Sequence, residues 1–391
     1  MSDSFTEVTS ESWFGRIGKS FIGVIVGLLL FVISFPLLWW NEGRAVHTAQ
    51  GLSELGKTVV SVPADKVDAA NQGKPVHITA LATSDETLAD PQFAVSTPAL
   101  KLRRHVEMYQ WKETKKTEER KKLGGGVEKT TTYTYSKVWA DKPISSGEFH
   151  HAAGHENPPM KYESREVTAE KIHLGAFLLS SGLVAQLNPF SPLPMQKENL
   201  DRVPEELRDQ LRLAGESYYL GKNPDEPAVG DLKISFQIVK PTEVSIIARQ
   251  AGDSFEPWRS KVDTQVERLD AKRISAPEMV IELQHENTML TWILRGVGFV
   301  LMTIGLAMVG GPLAVLADVL PFLGDFLRMG IFLFAALVAA SLSLVTIALA
   351  WLAYRPVLGV ALLIAAVVII VFAKRLGSRK KALPPLPEIR P

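Results

Sequence analysis

Three imidazoles fall within six residues, His150, His151 and His155 in the run HHAAGHENP. Neutral imidazole binds Zn²⁺ or Ni²⁺, so these are the chain's candidate metal ligands, and the only region where a hydrolase could assemble an acid–base site. The H-E-x-x-H order is absent and the chain has no Cys, so a polar loop is the default reading and no metal is expected. The run GRIGKS at 15–20 resembles the end of a phosphate-binding loop. That loop needs Gly where Trp13 stands and should follow a strand, whereas this run abuts an apolar stretch. No G-x-S-x-G, G-x-G-x-x-G or EF-hand loop occurs. No catalytic residue and no cofactor is therefore assigned, and the expectation is a non-enzyme.

The elements that would position such residues are of two kinds. The 391 residues carry 43 Lys+Arg against 42 Asp+Glu, a net charge of +1 that gives no support to nucleic acid as partner. The 46% hydrophobic residues are unevenly spread. Residues 21–40 (FIGVIVGLLLFVISFPLLWW) are uncharged over the length that crosses a hydrocarbon core of about 30 Å. Residues 290–309, 331–354 and 356–373 are three further runs, of which only the first contains a charge, Arg295. Four such runs predict four transmembrane helices. A cleaved signal peptide is disfavoured for the first, which is too long and ends in Trp39-Trp40, a pair suited to a membrane interface.

Basic flanks set the expected orientation. Arg16 and Lys19 precede the first span, and Lys374, Arg375, Arg379, Lys380 and Lys381 follow the last. Both termini are thus expected in the cytoplasm, as residues 1–20 and a basic tail of residues 374–391. Residues 41–289 become an extracytoplasmic (periplasmic or lumenal) domain. Residues 310–330, with Asp318, Asp325 and Arg328 among apolar neighbours, read as a cytoplasmic interfacial or re-entrant segment.

The large domain reads as β-rich α+β. Thr58–Val62, Val76–Ala82, Lys101–Trp111 and Val127–Ala140 alternate or are β-branched and aromatic, as strands should be. The charged stretch KETKKTEERKKLGGGVEK, with three consecutive Gly, predicts a long hairpin tip. Residues 174–187 and 198–213 look helical, and 230–240 with 242–250 look like a strand pair turning at Pro241. Residues 44–57 extend the first span as a helix, and residues 276–291 form a helix leading into the second.

WWNEGRAV at 39–46, RRHVEMYQW at 103–111, GDLKISFQIVKPTEVSIIARQ at 230–250, LTWILRGVGFVLMTIGLAM at 290–308 and SLSLVTIALAWLAYRP at 341–356 resemble the transmembrane protein 43 (LUMA) family. The blocks occur in family order across nearly the whole chain. The resemblance implies a four-span protein with a large lumenal or periplasmic domain that self-associates and organises membranes with partner proteins. A bacterial member would lie in the inner (plasma) membrane, a eukaryotic one in the endoplasmic reticulum and inner nuclear membrane. A bacterial member is expected here. No catalytic residues come with the resemblance.

Several residues are expected to pack or anchor the spans. Arg295 lies five positions into its span, roughly 7–8 Å from its start. It must snorkel or pair, and Glu42 beyond Trp40 is the candidate partner, in an interfacial pair worth about 1 kcal/mol. Gly23 and Gly27 form a G-x-x-x-G face for close helix approach, and Arg355 bounds the fourth span. The reading that results is a non-enzymatic scaffold, homo-oligomeric through the glycine face and the charged hairpin, with lipids and other membrane proteins as partners. A channel or transporter and a membrane-tethered hydrolase using the His150 region are the alternatives.

Overall fold

The computed structural model describes residues 3–355 and residue 364, so the expected fourth span, residue 364 apart, and the basic tail lie outside the described residues. The chain divides into two compact units. The first comprises Met1–Ser12, Gly51–Lys122 and Gly126–Gln284; the second comprises Trp13–Gln50, Leu123–Gly125 and His285–Pro391.

The first unit is β-rich. Its larger sheet contains, in chain order, β1 (Asp3–Glu11), β3 (Lys101–Lys121), β4 (Val127–Ala140), β5 (Leu211–Ala214), β6 (Ser217–Leu220) and β7 (Leu232–Val239). The spatial order is β1-β4-β3-β7-β6-β5, with short strands Arg165–Thr168 beside β3 and Ser191–Leu193 beside β7. The second sheet is built on β2 (Pro75–Thr83) and β8 (Thr242–Ala251), antiparallel from Thr242↔Ala82 to Arg249↔Pro75. Between the sheets lies one hydrophobic core that includes Ile78, Phe93, Val106, Tyr218, Phe236 and Ile246. Over residues 101–110 of β3 burial alternates strictly from Leu102 onward, as a strand with one face on a core requires.

Two expectations about this unit change. β7 and β8 are consecutive but not partners: β7 pairs with β3, and β8 pairs with β2. β7 buries alternate residues on one face while β8 is buried on both faces from Val244 to Ala248, and the chain satisfies both by passing at Lys240-Pro241 from one sheet to the other. The two stretches read as helical are mostly short pieces: Ser181–Gln186 is a helix, while Lys197–Leu200 and Glu205–Arg208 are single turns before β5.

β1 was not foreseen. It is antiparallel to β4 in unbroken register, from Asp3↔Tyr135 to Glu11↔Val127. This pairing sets residues 3–11 beside residues 127–135, whereas the basic flanks of the first span set residues 1–20 and 41–289 on opposite faces of a bilayer. The exposed Ser4, which lies opposite Thr134, and the exposed Ser136 allow a direct check in this Cys-free chain. Single Cys at either position is expected to react with an impermeant maleimide from the same side of sealed vesicles. Labelling from opposite sides would show that β1 leaves the sheet in the membrane.

The second unit is helical. α1 (Trp13–Thr58) carries the first apolar run and continues beyond it, as expected, with Pro36 inside. α2 (Ala276–Val309), α3 (Gly311–Ala317) and α4 (Pro321–Tyr354) follow. α1, α2 and α4 are long and apolar enough to cross a membrane. Their outward surfaces are rich in Ile, Leu, Val and Phe, which is stable against lipid and not against water.

Candidate functional site

The helical unit buries its charges in two clusters. In the first, α1 supplies Asn41, Glu42 and Arg44, α2 supplies Asn287, Thr291 and Arg295, and α4 supplies Trp351. Asn287, Thr291 and Arg295 share one face of α2, because a spacing of four residues returns to one side, and Asn41 and Arg44 share one on α1 at a spacing of three. Glu42 is 2% exposed. Arg295 donates to it as a fork, Nε to Oε1 at 2.7 Å and Nη2 to Oε2 at 2.8 Å. The Trp351 indole N–H donates to Oε2 at 2.7 Å. The guanidinium also lies 4.7 Å from the Trp292 ring centroid and 5.7 Å from that of Trp351. Beside this pair, Asn41 donates to the Thr291 carbonyl at 3.1 Å, and Arg44 donates to Asn287 Oδ1 and Thr291 Oγ1, each at 2.9 Å. Three donors converge on the two Glu42 carboxylate oxygens. What the cluster does chemically is tie three helices together.

The second cluster centres on Asp318, whose side chain is fully buried. Arg16 donates to it, and Arg328 donates to the same oxygen at 3.0 Å. Trp13 donates from its indole N–H to the Val315 carbonyl at 2.9 Å, and the Gly124 N–H donates to the Val319 carbonyl at 3.1 Å. The sequence marked Asp318 and Arg328 as charges among apolar residues and missed Arg16 as their partner, since 302 positions separate it from Asp318.

The structure brings Glu42 and Arg295 together. It also places the Trp39 ring 6.0 Å from Tyr354 and Arg355 over Trp351, while Trp40 is 56% exposed. Gly27 lies against α2: a Cβ there would stand 2.6 Å from the Gly305 carbonyl oxygen and 2.7 Å from Met308 Cβ. The glycine face is thus used inside the molecule, where its close approach joins α1 to α2. At Gly23 the nearest atom is Met308 Cε, 3.9 Å away.

The three histidines lie in the other unit, each against an aromatic ring. His150 stacks on Tyr133 at 4.1 Å, His151 on Phe5 at 5.8 Å, and the buried His155 on Tyr135 at 4.0 Å. His155 Nε2 also lies 3.4 Å from Asp3 Oδ2. Among the described residues no group of three or more His, Asp or Glu is disposed to hold a metal ion. The domain's most buried ion pair was not foreseen either: Arg104 donates to both Asp90 oxygens at 3.1 and 2.9 Å, and burial lowers its pKa from the ordinary value.

Comparison with known proteins decides the family. The family model described as transmembrane protein 43 matches residues 108–356. This chain belongs to the transmembrane protein 43 family. A rat relative named transmembrane protein 43 is 37% identical over 390 residues, covering 96% of each chain. A human relative of that name is 38% identical over 353 residues, 87% of this chain and 86% of its own. A fruit-fly homologue is 29% identical over 349 residues, 87% of this chain and 91% of its own. No solved structure matches. The family match runs from within β3 to just past the end of α4, so it takes in Arg295, Asp318 and Trp351.

Proposed function

We propose that this chain is a non-enzymatic, multi-pass membrane scaffold that self-associates and organises membrane or membrane-protein complexes. The observation that carries the reading is the β3–β4 hairpin. β3 is 21 residues long, and beyond Met108 its only strand partner among the described residues is β4. A long sheet edge left open is a template for another chain. Two further features support it. The polar groups among the helices are spent on one another, as a static anchor needs. The apolar helix surfaces suit lipid as the surrounding partner, with a fourth span at 356–373 and a cytoplasmic basic tail completing the anchor.

Two differently tagged copies expressed in one membrane are expected to co-purify in mild detergent. Recovery of each tag alone, at matched expression, would contradict the proposal.

A further inference from the structure

We propose that two copies of this chain pair along the free edge of β3, antiparallel, about a two-fold axis at Thr117. The inference rests on the self-association reading above and names its contact surface.

Two observations fix which backbone groups face that edge. On the β7 side of β3, the Tyr109 N–H donates to the Asp231 carbonyl at 2.8 Å, and the Gly230 N–H donates to the Tyr109 carbonyl at 2.8 Å. Two residues on, the Asn157 side chain accepts from the Trp111 N–H at 2.7 Å and donates to its carbonyl at 2.9 Å. After Trp111 this side has no further strand. Backbone direction alternates along a strand, so Glu113, Lys115, Thr117, Glu119 and Lys121 present their N–H and C=O groups outward. Residues 114–120 are all exposed.

The side chains then select the partner. The segment reads KETKKTEERK from Lys112 to Lys121. An antiparallel copy centred on Thr117 sets Lys115 opposite Glu119 on one face and Lys116 opposite Glu118 on the other. The two-fold repeats both, giving four opposed pairs of opposite sign. Directly opposed residues lie within about 4.5–5.5 Å at Cβ, close enough for opposite charges to stabilise and like charges to repel. The pattern is selective for register. A slide of the axis by one residue to Lys116 opposes Lys116 to itself and Glu113 to Glu119. A slide to Glu118 opposes Glu118 to itself and Lys115 to Lys121. Registers of odd sum would set outward groups against inward ones. Charged edges usually prevent pairing, but this one reverses charge sign about its centre at 113/121, 115/119 and 116/118, so it repels other strands and admits its own copy. In the single chain Lys116 bonds Glu118 along the strand at 2.7 Å and Glu119 meets Lys129 of β4 at 2.8 Å, so pairing exchanges these contacts for ones across the two-fold.

The chain has no native Cys, which makes the test specific. Residues opposed in a hydrogen-bonded antiparallel pair have Cα atoms about 5.5 Å apart, within disulfide reach. Thr117→Cys is expected to give a disulfide-linked dimer in native membranes under mild oxidation. Lys115→Cys alone is expected to give little, but to link to a co-expressed Glu119→Cys copy. The double variant Glu118→Lys/Glu119→Lys should lower Thr117→Cys cross-linking roughly tenfold. Adding Lys115→Glu/Lys116→Glu should restore it. All these positions are exposed, so folding is not at stake. An oligomer by mass photometry with no Thr117→Cys link, or with linking indifferent to charge reversal, overturns this edge while self-association stands. A monomer with no link overturns both.

Discussion

Replacing Arg295 by Met is expected to destabilise the helical unit by about 3–5 kcal/mol, the cost of leaving one member of a buried ion pair alone. The sequence alone suggested about 1 kcal/mol, the worth of a partly hydrated interfacial pair. Burial decides between them: the Glu42 side chain is 2% exposed and that of Arg295 15%. A lone Glu42 carboxylate would keep only the Trp351 N–H as donor. Glu42→Gln should cost a similar amount, because the guanidinium would lose its charge partner. The double variant Glu42→Gln/Arg295→Met should be far less destabilised than the sum of the single variants, since it removes both charges from the interior. Unfolding in mixed micelles with increasing SDS measures all three. Additive losses would show that the two side chains act independently and that Arg295 reaches its own water.

The two glycines of the first span should part company. Gly27→Ala is expected to lower stability by about 1–3 kcal/mol, the range for overpacking a close contact. The added methyl would meet the Gly305 carbonyl oxygen at 2.6 Å, and that backbone atom cannot swing away. Gly305→Ala should do the same, since its Cβ would stand 2.6 Å from the Gly27 carbonyl oxygen. Gly23→Ala should change stability by less than about 0.5 kcal/mol, because its nearest neighbour is the mobile end of Met308. None of the three should alter oligomer size in the fraction that folds. Equal losses at Gly23 and Gly27, with a shift toward monomer, would return the G-x-x-x-G face to the contact between copies.

The spans were legible because hydropathy and length are local properties. α1, α2 and α4 contain the first three predicted apolar runs, and α1 continues to Thr58 as the helical pattern past Trp40 suggested. The hairpin was legible too, since alternation over Lys101–Trp111, a β-branched run at Val127–Ala140 and three glycines between them each speak for themselves, but the charged stretch read as its long tip is strand as far as Lys121. What the sequence hid was partnership across distance. Nothing in DSFTEVTSE says that it will pair with residues 127–135, because exposed strands lack the alternating apolar signal. Pro241 looked like a hairpin turn because a turn and a passage between sheets use the same residue. Arg295 and Glu42 could be matched from their depths in two spans, whereas Arg16 and Asp318 could not, since the segment holding Asp318 did not read as a span.

The central claim, that this membrane protein works as an assembly of its own copies, is tested most directly by mass photometry of the full chain in lipid nanodiscs across a range of loading ratios. A discrete multimer whose size is constant over that range is the predicted result. A strictly monomeric protein at every ratio would contradict it.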